Sequence, residues 1–229
     1  MENETNNPQF KPIGRVLRRV AGVLVEKAKT TPDVYPMTIN AIATACNQKS
    51  NRSPKMELTH DDVDEALEEL RELGVVVEIQ GDGRKSKYRH RLYEWLGVDK
   101  IELAIMGELL LRGEQTLGDL RARASRMEKI EGQSQLKPIV QGLISRNLML
   151  PLTPEGRGQI VTHNLYLPEE LAKLERNVAA SSPVAAATSE SKASSTVAPA
   201  PESDSLMLEL MQIREEIKSL TKRVSDLEG

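Results

Sequence analysis

Residues 59–91 read THDDVDEALEELRELGVVVEIQGDGRKSKYRHR, and their periodicity changes from helical to alternating at Gly74. Before Gly74, an apolar stripe at helical spacing follows the capping residue Thr59 and consists of Val63, Ala66, Leu67, Leu70 and Leu73. Gly74 lies where a helix can end in the left-handed conformation. After it, two runs of strand-like composition flank the glycine-containing turn at residues 81–83. A helix followed by a two-stranded hairpin is typical of the last part of a winged helix-turn-helix module.

The hairpin is predicted to have an apolar face and a cationic face. Pairing across a short turn places on one face the residues Val75, Val77, Ile79, Ser86, Tyr88 and His90. The opposite face then holds Glu78, Gln80, Lys85, Lys87, Arg89 and Arg91. A row of surface cations can follow a phosphate backbone, and further cations lie at the turn and before the helix. The predicted nucleic-acid-binding residues are Lys49, Arg52, Lys55, Arg84, Lys85, Lys87, Arg89 and Arg91.

The helix in the same stretch has the opposite charge. Its acidic residues are Asp61, Asp62, Asp64, Glu65, Glu68, Glu69 and Glu72. The third helix of a helix-turn-helix normally enters the major groove of DNA, where these carboxylates would be repelled by the phosphates. We therefore expect DNA contact through the hairpin and the preceding loop. The alternative is a solvated hairpin whose cations offset the acidic helix, through pairs such as Glu78 with Lys87.

The order of predicted elements occurs twice along the chain. Residues 13–92 predict three helices and the hairpin, and residues 93–176 predict three further helices and a second hairpin. This internal repeat indicates two winged-helix domains, each small for a free-standing unit, that pack together and share a core. The turn of the second hairpin has Arg157 as its one cation, so the second copy is interpreted as structural or partner-binding.

Composition excludes several classes of protein. The chain has 229 residues, 39% of them hydrophobic, and a formal net charge of −3, so any nucleic-acid binding must come from local patches. Its single cysteine, Cys46, excludes a disulfide within the chain and suits a cytoplasmic location. We expect no membrane span, because no apolar run is long enough, and no signal peptide. Residues 1–12 are predicted to be disordered.

The residue types needed for enzyme chemistry are scattered. His60, His90 and His163 lack a second ligand at metal-binding spacing, and one cysteine cannot form a zinc site. The glycine-containing runs lie in hairpin turns, not in a phosphate-binding loop before a helix. We therefore expect no catalytic residues, no metal and no cofactor.

The C-terminal part changes composition twice. Residues 177–205 are rich in Ala, Ser, Thr and Pro and are predicted to be a disordered linker. Residues 206–229 have apolar residues at alternating spacings of four and three, which is the pattern of a coiled coil. The predicted dimerisation residues are Leu206, Leu210, Ile213, Ile217, Leu220, Val224 and Leu227. They favour a parallel homodimer, and the alternative is a helix docked on its own chain.

The chain also contains three distinctive runs. They are EKAKTTPDVYPMTINAIATACNQKSNRSP at residues 26–54, KYRHRLYEWLG at residues 87–97 and LLRGEQTLGDLRAR at residues 110–123. These runs resemble the YceH-like family of uncharacterised bacterial proteins, and the resemblance extends over residues 13–166. It implies tandem winged-helix domains and a regulatory or DNA-binding role, and it supplies no biochemical activity.

The sequence therefore predicts a mostly α (α+β), cytoplasmic protein with tandem winged helix-turn-helix domains, a disordered linker and a C-terminal coiled-coil helix. The predicted function is that of a non-catalytic, DNA-associated regulator with double-stranded DNA as its partner. The alternative is a protein-interaction scaffold, as in the tandem winged-helix subunits of chromosome-condensing complexes. In that case the acidic third helix would face a basic protein partner. A third alternative is an enzyme.

Overall fold

The computed structural model of the chain describes residues 10–80 and 86–181, in which helices alternate with small antiparallel sheets. The first half contains α1 (Arg15–Thr30), a 3-10 turn (Pro32–Val34), α2 (Ile39–Cys46), α3 (His60–Glu72), β1 (Val76–Gln80) and β2 (Ser86–His90). A short helix α4 (Leu92–Leu96) leads to the second half. That half contains α5 (Lys100–Arg112), β3 (Gln115–Thr116), α6 (Leu117–Ala124), α7 (Gln133–Ser145), β4 (Met149–Pro151) and β5 (Ile160–His163), and α8 (Pro168–Ser181) follows it.

Each half places three helices before an antiparallel hairpin, which is compatible with a winged helix. In the first half, β1 pairs with β2, and Met37 forms an additional bridge to Tyr88. In the second half, β5 lies between β3 and β4. The predicted start of α3 is confirmed: the Thr59 hydroxyl accepts a hydrogen bond from the Asp62 N–H, and the Asp62 carboxylate accepts one from the Thr59 N–H.

Helices α1 and α5 pack closely at two glycines. A Cβ atom added at Gly22 would lie 3.0 Å from the Leu111 Cγ atom, and one added at Gly107 would lie 2.6 Å from the Val25 Cγ1 atom. Because neither glycine has a side chain, the two helices can approach until backbone meets side chain. One continuous hydrophobic core includes residues of both halves. The expected sharing of a core is therefore present.

Gly107→Ala is expected to lower the free energy of unfolding by about 1–3 kcal/mol, as overpacking of a core does. The added methyl group would meet the Cγ1 and Cβ atoms of Val25 at 2.6 and 3.2 Å, and Val25 is fully buried. Gly142→Ala is the matched control, because Gly142 also lies inside a helix and nothing lies within 4 Å of an added Cβ. That variant should gain about 0.5–1 kcal/mol from helix propensity. Urea unfolding measures both, and an unchanged midpoint for Gly107→Ala would contradict the close packing.

The predicted face assignment of the first hairpin is wrong by one residue. The paired residues are Val76 with His90, Val77 with Arg89, Glu78 with Tyr88, Ile79 with Lys87 and Gln80 with Ser86. The prediction assumed a short turn, whereas the paired ends Gln80 and Ser86 are separated by residues 81–85, and loop length sets the register of a hairpin. Glu78 accordingly pairs with Arg71 of α3 at 3.1 Å, and not with Lys87 as in the solvated-hairpin alternative.

Two predicted boundaries of disordered segments are also wrong. Phe10 is buried and its ring lies 6.3 Å from that of Trp95, so the predicted disordered N-terminus of residues 1–12 does not extend to residue 10. The predicted linker began at residue 177, but α8 continues to Ser181. The remaining predictions for these regions lie outside the described residues: residues 1–9, residues 182–205, and the coiled-coil positions Leu206, Leu210, Ile213, Ile217, Leu220, Val224 and Leu227.

The described part of the chain contains neither a membrane-spanning helix nor a metal-binding cluster. No helix in residues 10–80 and 86–181 is long and apolar enough to cross a membrane. In the same ranges, no group of three His, Cys, Asp or Glu residues lies together in a way that could hold a metal ion.

Candidate nucleic-acid interface

The outer surface of β2 carries a row of cations. Lys87 and Arg89 are exposed and alternate with Tyr88, which is buried, so the two cations point away from the core. Arg91 is exposed directly after the strand. The face that Lys87 and Arg89 share with Val77 and Ile79 is therefore basic and partly apolar, where the prediction had Glu78 and Gln80. Arg84 and Lys85, which were predicted to extend this row, lie outside the described residues.

Contacts beneath β2 hold the row in place. The Tyr35 hydroxyl oxygen accepts a hydrogen bond from the His90 N–H at 2.7 Å. Burial raises the pKa of Tyr35 to about 12 and lowers the pKa of His90 to about 4. His90 is therefore neutral near pH 7, and the positive charge of this strand comes from its lysine and arginine side chains.

The remaining predicted cations lie in the loop between α2 and α3, where two are exposed and one is buried. Lys49 and Lys55 are exposed. Arg52 is only 6% exposed, and its guanidinium donates to both carboxylate oxygens of Glu26, at 2.6 and 3.2 Å, and to the Ala45 carbonyl at 3.0 Å. The prediction that Arg52 binds nucleic acid is therefore wrong, because its donors are used inside the protein. It holds the loop against α1.

The surface of α3 is acidic, as the sequence predicted. All seven of its Asp and Glu residues are exposed, and Arg71 is paired with Glu78. Hydrogen bonds from the Thr59 backbone and hydroxyl lower the pKa of Asp62, so this carboxylate stays charged. Beside α3 lies a groove of about 860 Å³, lined by Glu68, Arg71, Glu72, Val76, Val77, Glu78 and Gln80. This groove presents three carboxylates and is unsuited to phosphate.

Helix α7 is the counterpart of α3 in the second half and has a different surface. It contains no Asp or Glu. Its exposed side chains include Ser134, Lys137 and Gln141. Glutamine can form two hydrogen bonds with adenine, and lysine can donate to guanine. This helix was not predicted to contact bases, although the absence of acidic residues between 133 and 145 was a visible signal. Arg157 is exposed in the connection between β4 and β5.

The family model and the relatives that match this chain all describe uncharacterised proteins. A family model described as "Protein of unknown function, DUF480" matches residues 14–156, which include both halves through β4. A UPF0502 protein of Rhodopirellula baltica is 50% identical over 195 residues, or 85% of this chain and 81% of that protein. UPF0502 proteins of Koribacter versatilis and Geobacter sulfurreducens are 43% and 41% identical, covering 64% and 69% of this chain and 71% and 74% of those proteins. These descriptions state no ligand or activity.

Proposed function

The chain belongs to the DUF480 family of uncharacterised bacterial proteins, as the YceH-like resemblance predicted, and we propose that it is a non-catalytic, DNA-associated regulator with two winged-helix domains. The observation that supports this proposal most directly is the outward row of Lys87, Arg89 and Arg91 on the first hairpin. The proposal includes a cytoplasmic location and a homodimer that pairs through residues 206–229.

The order of elements supports the winged-helix interpretation. Met37 adds to the first hairpin in the position that β3 occupies in the second, since each is an extended segment between the first two helices that pairs with the last strand. In both halves the third helix runs directly into the hairpin. Winged-helix modules use this helix and hairpin as their nucleic-acid-binding elements.

Phosphate contact would come from the first hairpin and its neighbouring loop. Lys87, Arg89 and Arg91, together with Lys49 and Lys55, are exposed and available to neutralise phosphates. Each neutralised phosphate releases a condensed counterion, so affinity would fall steeply as salt rises. The acidic α3 would stay out of the groove, and α7 is the helix whose surface permits base contacts.

Replacing both Lys87 and Arg89 with alanine is expected to weaken duplex binding equally for all sequences. Because two phosphate contacts are lost, the slope of log affinity against log salt should become shallower by about 1.8. Fluorescence anisotropy with the full chain, at several salt concentrations and with two unrelated duplexes, measures both quantities.

The matched control replaces Glu65, Glu68 and Glu69 with glutamine. Removing these carboxylates should leave duplex affinity unchanged or increase it, since α3 does not approach the phosphates. If the control loses binding, α3 is the reading helix after all. If the alanine variant keeps both affinity and salt slope, the hairpin makes no phosphate contacts and the proposal is wrong.

The groove beside α3 favours a second candidate function, that of a protein-interaction scaffold. Its lining combines the carboxylates Glu68, Glu72 and Glu78, the last of which is paired with Arg71, with the partly buried Val77, a combination suited to a basic segment of a partner protein. Such a scaffold would show no salt-dependent duplex binding. The same anisotropy experiment on the unaltered chain therefore distinguishes the two functions.

A further inference from the structure

A cleft lies where α1, the α2–α3 loop, the end of α5, β5 and α8 meet. Its volume is about 410 Å³, within the range of small-molecule sites in proteins. Five of its lining residues are cationic, namely Arg15, Arg18, Arg19, Arg112 and Lys173. The carboxylates in the lining are Glu114 and Glu170. The lining therefore has more positive than negative groups.

Two of the five cations are already neutralised. Arg18 donates to both carboxylate oxygens of Glu170, at 2.8 and 2.9 Å. Arg112 lies 2.9 Å from a carboxylate oxygen of Glu108 and also donates to the Asn51 side-chain oxygen. In these pairs the negative charges of Glu170 and Glu108 balance the positive charges of the two arginines. Arg15, Arg19 and Lys173 remain, and Glu114 is the remaining lining carboxylate.

Arg19 is the unusual member of this set, because it is only 2% exposed. Its terminal nitrogens donate to backbone carbonyls, those of Cys46 at 3.1 Å and Pro54 at 2.7 Å. Its buried Nε–H has no acceptor, and no carboxylate pairs with it among residues 10–80 and 86–181. Burial lowers the pKa of Arg19 to about 10, so the group is still charged at neutral pH. A buried charge without a counterion is costly, and a bound anion would remove that cost.

We propose that this cleft binds a small anionic ligand through carboxylate or phosphate oxygens. Arg19 supplies the buried positive charge, and the exposed Arg15 and Lys173 reach the ligand from α1 and α8. Arginine and lysine side chains both hydrogen-bond such oxygens strongly. A ligand held between α1 and α8 would strengthen the contact of the two helices, which gives a DNA-associated regulator a site for a small-molecule effector.

The test uses the full chain with three probes: inorganic phosphate, pyrophosphate and succinate, each against sodium chloride of equal ionic strength. We expect at least one probe to raise the unfolding temperature in a saturable way and to bind one site per chain by calorimetry. Saturation by phosphate or pyrophosphate alone identifies a phosphate ligand, and saturation by succinate alone identifies a carboxylate ligand.

Variants then locate the site. Replacing Arg15 and Lys173 with alanine should weaken probe binding by about tenfold or more, since two charge-assisted contacts are lost. Both residues are exposed, so this variant should fold. Arg176→Ala, which removes an exposed cation of α8 that does not line the cleft, is the matched control and should bind the probes normally. Absence of saturable binding by all three probes, or equal binding by the Arg15/Lys173 variant, would overturn the proposal. These variants leave Lys87 and Arg89 of the first hairpin unchanged, so failure of probe binding and failure of duplex binding by the hairpin are measured separately.

Discussion

Arg52→Met is expected to destabilise the protein by about 3–5 kcal/mol, because it leaves the carboxylate of Glu26 buried without its partner. Glu26 is 9% exposed and receives two hydrogen bonds from the Arg52 guanidinium. Its other close cation is Lys27, with 3.7 Å between the charged atoms. The loss should appear as a lower midpoint of urea unfolding at unchanged slope.

Two further variants make this result specific. Lys49→Met changes an exposed cation of the same loop and should alter stability by no more than about 0.5 kcal/mol. Replacing Glu26 with leucine as well as Arg52 with methionine removes both charges and should recover most of the lost stability. If Arg52→Met unfolds at the midpoint of the unaltered protein, the buried pair does not hold the loop, and Arg52 returns as a candidate ligand for phosphate.

Leu70→Ala is expected to cost about 2–5 kcal/mol, the range for truncating a fully buried leucine. Leu70 is 0% exposed and lies in the middle of the core-facing side of α3. Its carbonyl accepts a hydrogen bond from the Val75 N–H at 2.8 Å, where the helix passes into β1. Truncating the side chain leaves a cavity between α3 and the rest of the shared core, and thermal and urea unfolding both report the loss.

A variant at the adjacent residue Glu69 is the control for Leu70→Ala. Glu69 is exposed on the same helix, and Glu69→Ala should change stability by no more than about 0.5 kcal/mol. A Leu70→Ala protein whose unfolding midpoint matches that of Glu69→Ala would show that the apolar side of α3 does not bury against the core. That result would contradict the packing of α3 on which the winged-helix interpretation of the first half depends.

Some features of the candidate interface could be predicted from neighbouring residues, and others depended on contacts between distant parts of the chain. The alternation of Lys87, Tyr88 and Arg89 was enough to predict that the two cations lie on one side of a strand. Which residues of β1 share that side depends on how many residues separate the paired ends Gln80 and Ser86, and the sequence did not specify that number. Arg52 looked equivalent to Lys49 and Lys55 because all three lie in one polar loop. The residues around a loop cation do not show whether it will be buried in a pair with a carboxylate on a distant helix.

The sequence alone determined the elements that depend on neighbouring residues. These include the capped start of α3 at Thr59, its buried residues Val63, Ala66, Leu67 and Leu70, and its acidic exterior. Capping, helical periodicity and charge pattern act over a few residues, so they can be read from the chain in order.

The tertiary structure alone decided features that join residues far apart in the chain. It buried Arg52 against Glu26, brought Gly107 against Val25, and placed Arg15 and Arg19 of α1 in one cleft with Lys173 of α8. No local preference encodes such pairs, because their energies arise from desolvation and close packing once the helices meet. For that reason the cleft around Arg19 could be recognised only after α1, α5 and α8 had been placed together.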